Sequence, residues 1–169
     1  SVLEVDPDAF VINSVSKYFG MTGWRLGWLV APEAAVAEME KLAQNFFISM
    51  STMAQYAALA GFEPGTREIL EQRREIFRQR RDFLLPAVQE LGFSVPCKPQ
   101  GAFYIYADAS RFTDDSQCFC LDLLEQHGVA VTPGLDFAKN RANQHLRFSY
   151  TTSMDRLELA VERLARVLS

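Results

Sequence analysis

The sequence has little of several features that define large classes of protein. Its 169 residues include only three cysteines and carry a net charge of −4. Cys97, Cys118 and Cys120 have neither Cys-x-x-Cys nor zinc-ligand spacing, which argues against a disulfide scaffold or a metal site and fits a reducing compartment. The acidic balance disfavours nucleic-acid binding, because neutralising phosphates needs a basic surface.

Long hydrophobic runs are also absent. No apolar stretch reaches the roughly 18 to 20 residues that a membrane-spanning helix needs. Residues 1–6 lack the basic and then apolar regions of a signal peptide. We therefore expect a cytoplasmic protein with neither a membrane nor a nucleic acid as partner. Repeats, low-complexity tracts and Gly/Ser linkers are missing as well, so the chain should be continuous folded structure.

The apolar residues are patterned as alternating strands and helices, which indicates an α/β fold. Runs rich in β-branched and aromatic residues predict strands over 10–15, 25–31, 92–95, 102–107, 129–132 and 146–150. Apolar spacings of three and four predict helices over 32–47, 51–60, 64–91, 115–127 and 153–168. Pro86 should kink the third of these helices, because proline removes one helical hydrogen bond.

The helix over 64–91 is rich in arginine, which could indicate a nucleic-acid or membrane patch. Glutamates and an aspartate are interspersed among those arginines, so a solvated face with salt bridges is the favoured interpretation. The residues concerned are Arg73, Arg74, Arg78, Arg80 and Arg81, with Glu68, Glu71, Glu75 and Asp82.

One segment, from Ser14 to Gly27, combines residue types suited to chemistry. Lys17 follows a predicted buried strand, where burial disfavours the ammonium form, so it is a candidate Schiff-base nucleophile. The hydroxyls of Ser14 and Ser16 and the guanidinium of Arg25 suit a phosphate dianion, and nearby glycines let the backbone approach it. This set indicates a phosphate-bearing aldehyde cofactor. The alternative is a surface lysine and arginine flanking a hairpin.

The same segment resembles the pyridoxal-phosphate (PLP) attachment signature of class I/II aminotransferases. That signature is a small residue, any residue, a small residue and lysine, then an arginine eight residues on that is followed by an aliphatic residue and glycine. Two later segments resemble the family in the same order. They are Pro99-Gln-Gly-Ala-Phe-Tyr104 and Gly128-Val-Ala-Val-Thr-Pro-Gly134 with Phe137 following.

A fourth segment, His145-Leu-Arg147-Phe-Ser-Tyr150, resembles the strand whose arginine binds the substrate α-carboxylate. An arginine inside an apolar strand fits this role physically, since bidentate pairing offsets its desolvation. The alternatives are that Arg147 is a surface residue of an edge strand, or that Arg141 in the preceding polar loop is the carboxylate ligand.

The resemblance implies the C-terminal part of the fold type I PLP-dependent transferase fold. That part comprises a remnant of the large-domain sheet, a long interdomain helix and an α+β small domain. Residues 1–75 would be the remnant of the PLP-binding domain and residues 76–169 the small domain, bridged by the helix over about 64–91. In the family the attachment lysine lies past the middle of the chain, whereas here it is residue 17, and no Asp-x-x-Tyr motif precedes it. We therefore expect weak cofactor binding and no useful turnover from this chain alone.

The function that the resemblance implies is PLP-dependent transamination between an amino acid and a 2-oxo acid by a ping-pong route, in a homodimer. Lys17 would be the catalytic residue and cofactor anchor, with Ser14, Ser16 and Arg25 binding the phosphate and Arg147 binding the substrate. Two alternatives stay open: a non-catalytic α/β assembly or regulatory module, and a related PLP-dependent lyase or decarboxylase. Strand edges in 10–31 and the faces of helix 32–47 should be uncovered, which predicts self-association or poor solubility.

Overall fold

The computed structural model describes residues 1–168, which form two compact units. The first unit is Ser1–Arg74 and the second begins at Glu75. The identity of these units as a cofactor-binding remnant and a small domain stays a prediction.

The first unit contains a two-stranded antiparallel ribbon. Its strands are β1 (Val11–Ser14) and β2 (Gly27–Val30), with Val11 opposite Val30 and Ser14 opposite Gly27. Gly27 is required for this pairing, because a Cβ there would lie 2.5 Å from the Asn13 carbonyl oxygen. Both strands fall inside the ranges predicted for them.

The expectation that a buried strand precedes Lys17 was wrong for the described residues. The side chains of β1 and β2 are exposed or half-buried, and Ile12 is 83% accessible. In a two-stranded ribbon each side chain has few neighbours on its own face, so the faces stay largely accessible. The buried position is Val15, directly after β1, whose N–H donates to the Leu26 carbonyl oxygen at 3.1 Å.

Three helices follow the ribbon, and each begins and ends within two residues of the predicted bounds. They are α1 (Glu33–Phe46), α2 (Thr52–Ala60) and α3 (Pro64–Glu90). Helix α1 buries no residue, whereas α2 buries Ala54 and Ala58. Helix α3 continues through Pro86 without interruption, so the proline does not break it.

Ion pairs along α3 confirm the salt-bridged face. The Arg74–Glu71, Arg78–Glu75 and Arg81–Asp82 pairs have N···O distances of 2.7, 2.5 and 2.6 Å. Because acidic partners lie within a helical turn of these arginines, the helix presents mixed charge rather than a basic stripe.

The second unit continues with three strands and two helices. They are β3 (Tyr104–Asp108), α4 (Ser116–His127), β4 (Thr132–Pro133), β5 (His145–Ser149) and α5 (Met154–Leu168). The strands form an antiparallel sheet in the order β3-β5-β4. None of the helices within residues 1–168 combines the length and hydropathy that a membrane crossing requires.

This sheet has one apolar face and one polar face, because side chains alternate along each strand. Leu146 and Phe148 on β5 and Ile105 on β3 are buried in a core shared with Leu123 of α4. The opposite face carries polar and aromatic side chains that occupy paired positions in the register: Tyr104 with Ser149, Tyr106 with Arg147, Asp108 with His145, and Thr132 with Arg147.

Two predicted strands were wrong or largely wrong. The segment 92–95 makes only an isolated bridge between Ser94 and Asp108, because Pro96 has no N–H with which to extend the ladder. The strand predicted over 129–132 shrinks to Thr132–Pro133. The N–H of Val129 donates instead to the Leu123 carbonyl oxygen at 2.9 Å, within the turn that ends α4 at Gly128.

Candidate functional site

The predicted cofactor residues of the first unit lie on one turn that hydrogen bonds close. Ser14 Oγ donates to Ser16 Oγ at 2.9 Å and accepts from the Ser16 N–H at 3.0 Å. Thr22 Oγ1 donates to the Ser16 carbonyl oxygen at 2.8 Å. The Met21 N–H donates to the Val15 carbonyl oxygen at 3.1 Å. The turn therefore presents two hydroxyls next to Lys17, which is exposed.

Arg25 closes the same turn in a left-handed backbone conformation, with φ of 52°. This conformation costs a residue other than glycine about 1–2 kcal/mol. The Arg25 Nη1 donates to the Thr22 carbonyl oxygen at 3.0 Å. Strain of this kind is enriched at functional sites, so its presence at a predicted phosphate ligand is informative.

An open hollow of about 650 Å³ lies against Arg25. Its wall is formed by Gly20, Thr22, Gly23, Trp24, Arg25, Ser49, Met50, Ser51 and Ala54. Ser14, Ser16 and Lys17 are not among those lining residues. The structure thus brings Arg25 to the hollow together with hydroxyls that the sequence analysis missed.

Those missed hydroxyls belong to Ser49 and Ser51, between α1 and α2. Ile48, immediately before them, has φ of 66°, and a β-branched residue adopts that region only under strain. The sequence signal was weak, because serines in a short connection between helices are common turn residues. Only spatial proximity to Arg25 distinguishes this pair.

Tyr18, the neighbour of Lys17, is tied to α3. Its Oη donates to Glu71 Oε1 at 2.6 Å. This hydrogen bond raises the pKa of the Tyr18 phenol and lowers the pKa of Glu71, with Arg74 lowering the latter further. The sequence analysis missed the contact, because the two residues are 53 positions apart.

Arg147 lies on the polar face of the sheet in the second unit, on the central strand β5. The edge-strand alternative is therefore wrong. The guanidinium carbon lies 4.2 Å from the centre of the Phe137 ring and 5.3 Å from that of Tyr104. Its Nε is buried without a hydrogen-bond acceptor, and among residues 1–168 no carboxylate forms an ion pair with it. A half-buried guanidinium in this state is suited to an external anion.

The rival arginine, Arg141, is already paired. Its Nη2 lies 3.1 Å from Asp108 Oδ2, and its Nε donates to Gln144 Oε1 at 3.1 Å. Because its donors meet partners inside the same unit, Arg141 is less suited than Arg147 to bind a substrate carboxylate.

Two further side chains complete the surroundings of Arg147. The Tyr106 ring stacks on the His145 imidazole, with centroids 5.0 Å apart, and burial raises the pKa of Tyr106. Gly134 lies directly behind them, since a Cβ there would be 2.8 Å from Tyr106 Oη and 2.4 Å from the Ala142 carbonyl oxygen. Only glycine fits at position 134, because the surrounding atoms leave no room for a side chain.

The donors of the first unit fit PLP. A primary amine, two hydroxyls and a guanidinium occur on one hydrogen-bonded turn, and these are the groups that bind an aldehyde and a phosphate dianion. The described residues contain no cluster of three or more potential metal ligands.

Comparison with solved structures identifies the class of fold. An aminotransferase from Mycobacterium tuberculosis superposes with a TM-score of 0.94 at 36% identity, covering 99% of this chain and 43% of that one. A putative aminotransferase from Silicibacter pomeroyi gives 0.92 at 43% identity, covering 99% and 45%. The chain therefore has the architecture of the C-terminal part of the fold type I PLP-dependent transferase fold, as predicted.

Sequence comparison then gives the family. Residues 1–164 match aminotransferase class I and II, so the chain belongs to that PLP-dependent family. The valine–pyruvate aminotransferase of Mycobacterium tuberculosis is 38% identical over 157 residues, and the aspartate/prephenate aminotransferase of Thermus thermophilus is 40% identical over 159. Each alignment covers 93% of this chain but 40% of the relative, which is consistent with the predicted C-terminal portion.

Proposed function

We propose that this protein acts as a PLP-dependent aminotransferase that moves an amino group between an amino acid and a 2-oxo acid by a ping-pong route. The observation that carries the proposal is the closed turn of the first unit, which holds Ser14, Ser16, Lys17 and Arg25 on 12 consecutive residues. Family membership supports the same reaction class.

Each residue of the turn has a role that its functional group allows. PLP supplies an aldehyde that bonds to amines and a ring that withdraws electrons from the substrate Cα. Lys17 Nζ is the covalent anchor. Ser14 and Ser16 donate hydrogen bonds to the phosphate, and Arg25 neutralises its charge.

Lys17 also moves the proton in this proposal. As an unprotonated amine, Nζ would be the general base that takes a proton from the substrate Cα. It then returns a proton as a general acid. One residue thus serves as anchor and as acid–base group.

Arg147 binds the substrate α-carboxylate with two parallel hydrogen bonds. Its lack of an internal carboxylate partner among residues 1–168 supports this assignment. We further propose that residues 1–75 belong to the cofactor-binding domain and residues 76–169 to the small domain, in a cytoplasmic enzyme.

Exposed apolar side chains support the proposed homodimer. Leu29, Val36, Leu42, Phe46 and Phe47 line a second hollow of about 500 Å³ along α1, and Phe46 is 80% accessible. Contiguous apolar surface of this kind is typical of an interaction site. Light scattering at high protein concentration tests the proposal, and a monodisperse monomer would contradict it.

The test of the function is reductive trapping with borohydride in the full-length protein saturated with PLP. We expect the wild type to carry a pyridoxyl adduct on Lys17 and a visible absorbance band that shifts when an amino acid is added. Lys17→Ala should lose the adduct and the band. Lys41→Ala is the matched control, because Lys41 is an exposed lysine of the same unit that pairs with Glu38 at 2.7 Å. An unchanged band in Lys17→Ala refutes the assignment.

One observation favours the alternative of a non-catalytic assembly or regulatory module for this chain by itself. Lys17 and both serines are absent from the wall of the hollow that Arg25 lines. Borohydride trapping on residues 1–169 alone separates the two, since an adduct on Lys17 at saturating PLP supports a retained site and none supports the module. Product analysis of the active protein distinguishes transamination from a related lyase or decarboxylase reaction.

A further inference from the structure

The guanidinium of Arg147 is bordered by aromatic rings rather than by acids. Phe137 lies 4.2 Å from the guanidinium carbon and Tyr104 lies 5.3 Å from it. Both distances are within the range of about 6 Å in which a cation is attracted to the face of an aromatic ring. Arg147 is half-buried, while Phe137 and Tyr104 are 48% and 38% accessible. The rings therefore border the guanidinium at the surface, where a small molecule can reach it.

This arrangement restricts which edge of the guanidinium a ligand can use. The Nε is buried and has no acceptor, so it is withdrawn from solvent. A planar guanidinium beside aromatic faces loses rotational freedom while it keeps its charge. The terminal nitrogens are then the groups left to form the two parallel hydrogen bonds of a carboxylate pair.

The backbone that carries the Phe137 ring is held by a short turn. A short 3-10 helix, Gly134–Asp136, precedes it, and the Phe137 N–H donates to the Gly134 carbonyl oxygen at 2.9 Å. Gly134 is buried against the carbonyl oxygens of Ala142 and His145. Tyr104 is held by β3, where it pairs with Ser149, two positions from Arg147 along β5.

We infer that Phe137 and Tyr104 are positioning residues that orient Arg147 for the α-carboxylate of the amino-acid substrate. The inference rests on the proposed function, in which Arg147 is the carboxylate ligand. The rings do not contact the reacting atoms in this scheme. They act through Arg147 by fixing the plane of its guanidinium before the substrate arrives, which lowers the ordering cost of binding.

The experiment measures carboxylate selectivity in the full-length protein loaded with PLP. Propanoate and its neutral analogue propanamide serve as competitive inhibitors, and the readout is the ratio of their inhibition constants. Phe137→Leu removes the ring while keeping an apolar side chain. It should weaken propanoate binding by about 3- to 10-fold and leave propanamide binding unchanged. The KM for the amino acid should rise by the same factor with kcat within about twofold, since the lost interaction is equal in ground and transition states.

Three further variants make the result specific. Phe137→Tyr retains a ring and should restore the wild-type ratio. Tyr104→Leu should lower selectivity in the same direction, by a smaller factor because its ring is farther from the guanidinium carbon. Phe112→Leu is the matched control, because Phe112 borders Arg111 at 5.6 Å in the same unit, away from Arg147. It should leave the ratio unchanged.

The outcomes separate this inference from the proposed function. Arg147→Gln should abolish the preference for propanoate. If it does not, the assignment of Arg147 in the proposed function is wrong. If Arg147→Gln abolishes the preference but both leucine variants keep the wild-type ratio, the proposed function stands and the positioning role is refuted. Equal weakening of propanoate and propanamide binding in the leucine variants also refutes it. A general disturbance of the fold would weaken the charged and the neutral inhibitor alike, whereas a misplaced guanidinium would weaken only the charged one.

Discussion

The two units hold their candidate functional residues by different means. Of the buried apolar residues described, four lie in the first unit and 16 in the second. In the first unit, the turn carrying Lys17 is organised by hydrogen bonds among hydroxyls and backbone groups. In the second unit, Arg147 lies on β5 between Leu146 and Phe148, and these two residues are buried in a continuous core. A site can therefore be organised locally with little core beneath it, but such a site should open more readily.

The largest expected effect is the loss of stability when a leucine is truncated in the core of the second unit, compared with an exposed leucine of the first. Leu123→Ala on α4 removes a fully buried side chain, whereas Leu59→Ala on α2 removes one that is 64% accessible. We expect Leu123→Ala to lower the free energy of unfolding by about 2–5 kcal/mol. Leu59→Ala should lower it by less than about 1 kcal/mol. Urea denaturation of the full chain measures both.

The thiol of Cys120 provides a second probe of the same substitution. Burial, together with a smaller contribution from the negative charge of Asp136, raises the pKa of Cys120 to about 11, so the native thiol should react slowly at pH 8. Cys118 is exposed on the same helix and is the internal control. Leu123→Ala should accelerate alkylation of Cys120 relative to Cys118, whereas Leu59→Ala should not. Equal losses of stability in the two leucine variants would mean that the contrast between the units is not real.

An intermediate effect is expected at the ribbon of the first unit. A Cβ in Gly27→Ala would meet the Asn13 carbonyl oxygen at 2.5 Å, so β1 and β2 must separate. We expect a loss of about 1–3 kcal/mol in the free energy of unfolding. Cleavage near residues 14–27 under limited proteolysis should also be faster. Gly23→Ala is the matched control, because apart from the adjacent backbone and chain neighbours no heavy atom lies within 4 Å of its added Cβ. Similar proteolysis of both variants would argue that the ribbon does not organise the turn.

The smallest effect concerns the Tyr18–Glu71 hydrogen bond and its pH dependence. The pKa of Glu71 is lowered, so its contribution to stability is present above the ordinary glutamate range and is lost as the pH falls through the lowered pKa. The pKa of Tyr18 is raised, so its contribution is present below the ordinary tyrosine pKa and is lost as the pH rises through the raised pKa.

The contact should therefore persist from mildly acidic pH to beyond the ordinary tyrosine pKa. Subtracting the ultraviolet titration curve of Tyr18→Phe from that of the wild type isolates the ionisation of the Tyr18 phenol. Its midpoint should lie above the ordinary value and return toward it in Glu71→Gln. A midpoint that does not move in Glu71→Gln would show that the hydrogen bond does not control Tyr18.

Much of the local structure was predictable, because periodicity reports directly on helices. Helix α3 was predicted over 64–91 and spans Pro64–Glu90. The strand predictions over 92–95 and 129–132 failed, since pairing in a sheet depends on partners distant in sequence. Pro96 prevents the first segment from extending its ladder, and the turn that ends α4 at Gly128 shortens the second. Apolar composition carries no information on either effect.

The candidate site was predictable in residue type but not in surroundings. Lys17, Arg25 and Arg147 followed from spacing and resemblance. The rings beside Arg147, the hydroxyls of Ser49 and Ser51, and the Tyr18–Glu71 contact did not, because each depends on side chains brought together from separate elements.

The left-handed backbone conformation of Arg25 limits which amino acids fit at this position. Glycine would satisfy the backbone but supplies no charge, and lysine would supply a charge without the planar fork and without relief of the conformation. If the backbone alone decided this position, glycine would be the favoured residue. The arginine found here therefore carries a conformational cost that its guanidinium must offset, as the proposed phosphate contact would do.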